Sequence, residues 1–341
     1  MPGTNPAEAM RVVAGELSDF PHLPELPDRG PGADLTGRTA ALLVGIPVEV
    51  TPRGWRLAER PGRDLGRARS MLSADLDAME EVLDGFRGPV KIQVCGPWTL
   101  AATLELPRTL NVAIADLGAV ADLTASLAEG VAAHVAEVAK RLPGARLVVQ
   151  LDEPALPAVA QGRVPTASGL SRLAAVEADM LRERLAQVIA ATSAYTVVHS
   201  CGSATPFGTI MTAGGCAVSF DLSQLRRGEE DGVAEAAEAG LGLLTGVVPA
   251  LPAPDAGAPR PSGAIAPGDG SAGARGAAER VIRLWRRLGL PLATAPDQAV
   301  VTPACGLAGA SPDQARASLT RCREAGSMLA ELIEETGEEP R

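Results

Sequence analysis

A histidine and two cysteines stand where they could hold a soft metal ion. His199-Ser200-Cys201 follows the apolar run 195–198, Cys305 follows the run 299–302, and Asp221 closes the run 217–220. Each run reads as a β-strand. Along an extended strand residues i and i+2 project to the same side, so His199 and Cys201 can reach one ion. One imidazole, two thiols and a carboxylate suit zinc. Spacing alone leaves a plainer assignment open, because an isolated His-x-Cys is a weak signal and buried cysteine commonly behaves as a small hydrophobe. That plainer assignment is the better one for Cys95, for Cys216 at the start of an apolar strand, and for Cys322 on a helix face. His134 shares a helical stretch with Val131, Val135 and Val138 and reads as structural, while His22 lies in a Pro-rich segment and carries no signal.

Residues of this kind need a scaffold that brings strand ends together. Strands are expected near residues 47, 91, 147, 196, 217, 243 and 300, alternating with helices over about 63–86, 114–141, 171–193, 206–213, 229–239 and 276–289. The last helix has clear start signals, with Ser311 as N-cap, Pro312 at the first helical position and Gln314 two residues later. Alternating strands and helices build a parallel sheet with crossover helices. The expected fold is α/β, a (β/α)8 TIM barrel, whose active face lies at the C-terminal strand ends. Seven strands leave one to be found, and the N-terminus is the place to look. The chain is expected to be one catalytic domain over 1–341, with a flexible loop at 252–277, where Pro, Gly, Ala and Ser dominate.

Composition narrows the function classes. At 341 residues and 46% hydrophobic content the chain can bury a sizeable core, built mostly from Ala, Val and Leu because aromatics make up only 2%. A net charge of −10 argues against general nucleic-acid or anionic-membrane binding. No apolar run is long enough to span a bilayer, and the N-terminus lacks the regions of a signal peptide. Five scattered cysteines then fit a reducing cytoplasm.

Four stretches carry a resemblance. They are Val198-His199-Ser200-Cys201, Gln150-Leu151-Asp152-Glu153-Pro154-Ala155-Leu156, Thr302-Pro303-Ala304-Cys305-Gly306-Leu307, and Val90-Lys91 leading to Cys95-Gly96-Pro97-Trp98-Thr99-Leu100. Together they resemble the C-terminal, catalytic barrel of the cobalamin-independent methionine synthase family, and the chain is similar to its short, single-barrel members. The resemblance implies zinc held by His199, Cys201, Asp221 and Cys305, and methyl transfer to the sulfur of homocysteine. It also implies that Asp152 receives the substrate ammonium, with Trp98 and Glu153 at the substrate site. Glu153 has a second reading, as an orienting partner of a metal ligand, and Asp-Glu-Pro can equally end a strand and cap the next turn. The chemistry is sound apart from the family. A free thiol has a pKa near ~8.5 and is mostly protonated at neutral pH, whereas a metal-bound thiol is deprotonated and held in place.

Three departures accompany the resemblance. The family's carboxylate ligand is usually Glu, and here Asp221 is shorter by one methylene. The family has a His after the strand that here reads 243–248, thought to assist protonation of the methyl donor, yet no His occurs between 200 and 341. A methylfolate donor needs such a proton, and a methyl-corrinoid donor does not. The family's first strand ends in Gly-Ser immediately before the position of Met1, so the natural chain is expected to begin upstream and supply that strand. The leading expectation is therefore a zinc-dependent homocysteine methyltransferase using a methylfolate-type donor. The alternatives are methyl or alkyl transfer to a thiol from another donor, such as a methyl-corrinoid, and a degenerate barrel that binds a thiol or metal without turnover.

Overall fold

The structure is a computed structural model and describes residues 1–250 and 273–335. Eight strands are present among these residues: β1 (Val48–Thr51), β2 (Gly54–Leu57), β3 (Gly88–Cys95), β4 (Ala145–Asp152), β5 (Tyr195–Ser200), β6 (Ala217–Asp221), β7 (Gly242–Val248) and β8 (Ala299–Pro303). β3 to β8 form one parallel sheet in sequential order, six strands wide. Parallel neighbours need a crossover, supplied by helices Leu117–Arg141, Ala178–Ile189, Phe207–Thr212, Glu230–Glu238 and Ala274–Leu288. Strictly sequential order curls the sheet in one direction, and the result is a TIM-barrel-like α/β fold.

The strand expected near residue 47 belongs elsewhere. β1 pairs antiparallel with β2 in a separate two-stranded hairpin. Only Pro52 and Arg53 separate the two, far too few residues for a parallel crossover. The place beside β3 is taken instead by the Pro-rich segment around His22. Leu23 N donates to Lys91 O at 2.9 Å and Lys91 N donates to Pro21 O at 3.0 Å, making a single parallel rung. Pro21 and Pro24 lack N–H groups, which limits the ladder there.

Side-chain alternation sorts the sheet into two faces. Outward residues such as Ile92, Val149, Val198, Val218 and Leu243 join the main core under the helices. Inward residues form a separate small cluster of Val148, Val197, Ala217 and Leu244, packed by Phe20 and Val300. This apolar plug sits toward the N-terminal ends of the strands. Above it on the same faces come polar residues: Lys91 and Gln93 on β3, Gln150 on β4 and Ser219 on β6. At the C-terminal ends come Asp152, His199 and Asp221.

The expected loop 252–277 lies largely outside the described residues, and its end is helical from Ala274. Two helices that the sequence reading passed over, Pro97–Thr103 and Leu156–Ala160, follow directly on β3 and β4. No helix among the described residues is long and apolar enough to cross a membrane.

Candidate active site

The mouth of the curled sheet brings together the residues expected to do chemistry, in part. Cys201 Sγ and Cys305 Sγ lie 3.9 Å apart, although the first follows β5 and the second β8. In a flat sheet strands three places apart would stand ~14 Å from each other, so curl and loops together close the gap. Two thiolates at ~2.3 Å from a tetrahedral zinc would sit ~3.8 Å apart. The sulfur pair matches that edge. The pair shares an S–H···S contact. That contact, helped by burial, raises the Cys201 thiol above its usual range; it holds Cys305 lower, at about 6.

His199 is the penultimate residue of β5, and its Nδ1 lies 2.8 Å from Ser219 Oγ on the neighbouring strand. His199 and Ser219 are register partners, so the strand pairing itself sets this contact. Burial, with the Lys91 charge adding, pushes the imidazole down to about 4, so it is neutral at physiological pH. A neutral ring anchored through one nitrogen is the state a metal ligand needs. Asp221 ends β6, and its Oδ1 accepts from Ser223 N at 2.8 Å. Burial raises its carboxyl above the ordinary range. As these side chains stand, no three His, Cys, Asp or Glu residues among the described residues converge tightly enough to hold an ion. The donor types and the sulfur spacing fit zinc, while the imidazole and carboxylate would have to draw in.

Asp152 is the last residue of β4 and stands beside His199, its register partner on β5. Gln150 Nε2 donates to its Oδ1 at 2.7 Å. Burial raises it to about 6, against the opposing pull of Lys91. Two further charges lie near it: Glu25, which the sequence does not single out, and Lys91, which belongs to one of the resembling stretches but has no role assigned there. Glu25 comes from the loop after the His22 rung and lies 3.4 Å from Arg38 Nε. Lys91 rises from β3, its Nζ 3.5 Å from Gln93 Oε1. Glu25 has no local signature, whereas a lysine inside an apolar strand is itself a signal that could have been used.

Glu153 and Trp98 are placed differently from expectation. Glu153 is fully buried on the far side of the strand end. Its Oε1 accepts from Trp98 N at 2.9 Å, and its Oε2 accepts from Thr99 N and Thr99 Oγ1, each at 2.7 Å. It thus caps helix Pro97–Thr103 and ties the end of β4 to that of β3. Burial pushes it up to about 7 even with these bonds. Trp98 is likewise fully buried, and its Nε1 donates to Leu181 O at 2.9 Å. Both residues support the site from beneath and neither opens into it. Gly96 completes the joint, since a Cβ there would collide with the Glu153 carboxylate.

The segments that follow β3, β4 and β6 carry exposed Arg108, Arg163, Arg172, Arg226 and Arg227, the last two followed by Glu229, Glu230 and Asp231. Arg226 leans over the β5 loop, its guanidinium 3.2 Å from Ser203 Oγ.

Fold and site together define a TIM-barrel-like enzyme with a thiol-rich mouth. The profile of the family described as "Cobalamin-independent synthase, Catalytic domain" matches residues 79–260, more than half of the chain. The chain belongs to this family, and it is a methyltransferase. The matched stretch includes Trp98, Asp152, Glu153, His199, Cys201 and Asp221 and ends before Cys305. Among solved structures, a B12-independent methionine synthase from Shewanella sp. W3-18-1, in complex with selenomethionine, is similar. The TM-score is 0.59 at 12% identity, over 97% of this chain and 89% of that one. At that identity the likeness speaks for the fold alone. No curated protein matches the chain.

Proposed function

We propose that the chain, acting as one cytoplasmic catalytic domain, transfers a methyl group from a methylfolate-type donor to the sulfur of homocysteine, giving methionine. The observation that carries the reading is the Cys201–Cys305 pair, 3.9 Å apart at the mouth of a barrel of this family. His199, Cys201, Asp221 and Cys305 would hold zinc. Bound there, zinc lowers the pKa of a substrate thiol and keeps it as thiolate at neutral pH.

The remaining work falls to the chain. Ser219 holds the His199 ring and fixes which nitrogen faces the mouth. Asp152, steadied by Gln150, receives the substrate ammonium. Glu153 locks the joint behind Asp152. As the S–CH3 bond forms, the bond from the methyl to its donor breaks, and the leaving atom takes the electron pair. Exposed arginines in the segments after β3, β4 and β6 would suit a donor bearing carboxylates. One observation favours a second donor: no His occurs between 200 and 341 to protonate a methylfolate, and a methyl-corrinoid requires no such proton.

Metal content and turnover test this reading together. Wild type is expected to carry near-stoichiometric zinc and to methylate homocysteine with methylfolate. Cys305→Ser is expected to lose most of both. Full zinc in Cys305→Ser would remove Cys305 from the ligand set. Product with methylcobalamin and none with methylfolate would select the second donor. Product with neither would refute the methyl transfer.

A further inference from the structure

The turn that carries Cys201 is held by a residue with no part in the chemistry described so far. Thr205 is buried, and its Oγ1 lies 3.0 Å from Gly202 O, 3.1 Å from Ser200 Oγ and 3.4 Å from Ser200 O. One hydroxyl thus reaches both the residue before Cys201 and the residue after it. Thr205 donates toward all three oxygens, so its one hydrogen is shared among acceptors that belong to a single turn. Ser200 is fully buried, so this contact is made where water does not reach.

The backbone is bent to make the contact. Ala204 has a φ of 65°, in the left-handed region that residues other than glycine avoid. Strain of this kind persists where the surroundings over-determine it, and here the bend returns Thr205 to the peptide groups on either side of Cys201. Both ends of the turn are fixed as well. His199 O accepts from Glu153 N at 2.7 Å, which ties the start of the turn to the end of β4. Thr205 O accepts from Phe207 N at 2.9 Å. The Phe207 ring in turn packs edge-on against Phe220, the neighbour of Asp221, with centroids 5.6 Å apart. Cys305 stands in a different setting, exposed in the connection between β8 and helix Pro312–Glu335. Of the two thiols 3.9 Å apart, Cys201 is thus the one whose backbone is anchored on both sides.

We propose that Thr205 is a positioning residue for the metal thiolate: its hydroxyl fixes the backbone of Cys201 and so holds Sγ at the spacing from Cys305 that one soft ion can bridge. This rests on the reading of the mouth as a metal-dependent methyltransferase site, and it adds a residue outside the four donors. Thr205 touches neither ion nor substrate and acts through Cys201. A ligand already in place loses less freedom when the ion arrives, so the hydroxyl raises affinity without adding a donor. Partners that orient ligands in this way are worth about 10- to 100-fold in metal affinity.

Thr205→Val keeps the shape and removes the hydroxyl, whereas Thr205→Ser keeps the hydroxyl and removes the methyl. Two readouts on the full chain separate positioning from a general loss of fold. The first is zinc affinity by chelator competition. Thr205→Val is expected to bind about 10- to 100-fold more weakly, and Thr205→Ser to stay within about threefold of wild type. The second needs no zinc. Phenylarsine oxide captures two neighbouring thiols, forming two As–S bonds while its oxygen leaves as water with both thiol hydrogens. Capture by the reduced, metal-free chain is followed by mass spectrometry, with Cys305→Ser as the one-thiol control. It is expected to be slower by about fivefold or more in Thr205→Val and unchanged in Thr205→Ser. Wild-type zinc affinity or wild-type capture in Thr205→Val overturns the proposal, whatever happens to its unfolding midpoint. Loss of either readout in Thr205→Ser overturns it too, since that variant keeps the hydroxyl, and this arm stands if Thr205→Val does not fold. Absence of zinc binding by wild type counts against the metal-site reading, and arsenical capture still decides the role of Thr205.

Discussion

Glu153→Gln is the sharpest probe of how the site is supported. The wild-type carboxylate accepts three hydrogen bonds, from Trp98 N, Thr99 N and Thr99 Oγ1. Glutamine keeps one acceptor oxygen and turns an NH2 toward the remaining donors. A buried N–H left without an acceptor costs about 1–3 kcal/mol. A pH dependence is superimposed on that loss. The folded-state pKa of Glu153 is about 7, above its ordinary value of 4.5. Such a group contributes stability that is fully present below the unfolded value and is lost as pH rises through about 7. At ~1.36 kcal/mol per unit, wild type loses roughly 2 kcal/mol from this source between about pH 5.5 and 8.5. Glutamine does not titrate, so the variant is spared this loss. The variant is expected to be less stable than wild type by about 1–3 kcal/mol at the acid end, with the gap closing by roughly 2 kcal/mol at the alkaline end. Urea unfolding at both pH values reads the gap from the midpoints and slopes. A gap that stays constant or widens with pH would refute the claim that Glu153 is a desolvated cap.

Two further outcomes follow from the site geometry. Ser219→Ala removes the 2.8 Å anchor on His199 Nδ1 and is expected to weaken zinc binding by about 10- to 100-fold in chelator competition, with little change in fold. Asp152, pushed up to about 6, can receive an ammonium only when ionised, so the homocysteine KM should rise as pH falls through about 6; a flat profile down to about pH 5 would remove Asp152 from that role.

The two halves of the site differ in how far the sequence discloses them, and the difference is physical. Asp152, His199 and Asp221 sit on strand ends, where backbone pairing and strict alternation fix the direction of each side chain. Strand runs and their ends are legible, so the positions of these three in the fold can be read from the sequence. The same alternation, applied one residue further, sends Glu153 to the opposite side of Asp152 and into the helix cap, which motif proximity obscured. Trp98 was misplaced for a related reason, because helix Pro97–Thr103 begins immediately after the strand and turns the indole into the core. The hairpin β1–β2 shows the limit of periodicity: its residues have strand character, and only the short turn decides that they pair with each other rather than join the barrel.

Loop contributions were illegible because nothing local determines where a loop comes to rest. Glu25 reaches the interior only because one rung at His22 sets its segment against β3. The exposed arginines Arg108, Arg163, Arg172, Arg226 and Arg227 are scattered over three connecting segments of the sequence. The inward residues of the sheet owe their direction to strand alternation, from the apolar plug through Gln150 to Asp152 and His199. Loops tolerate substitution far better than inward strand positions do. Residues held by alternation, such as Asp152 and His199, are therefore the ones whose direction a neighbouring substitution moves least, and loop residues such as Arg226 are the ones it moves most.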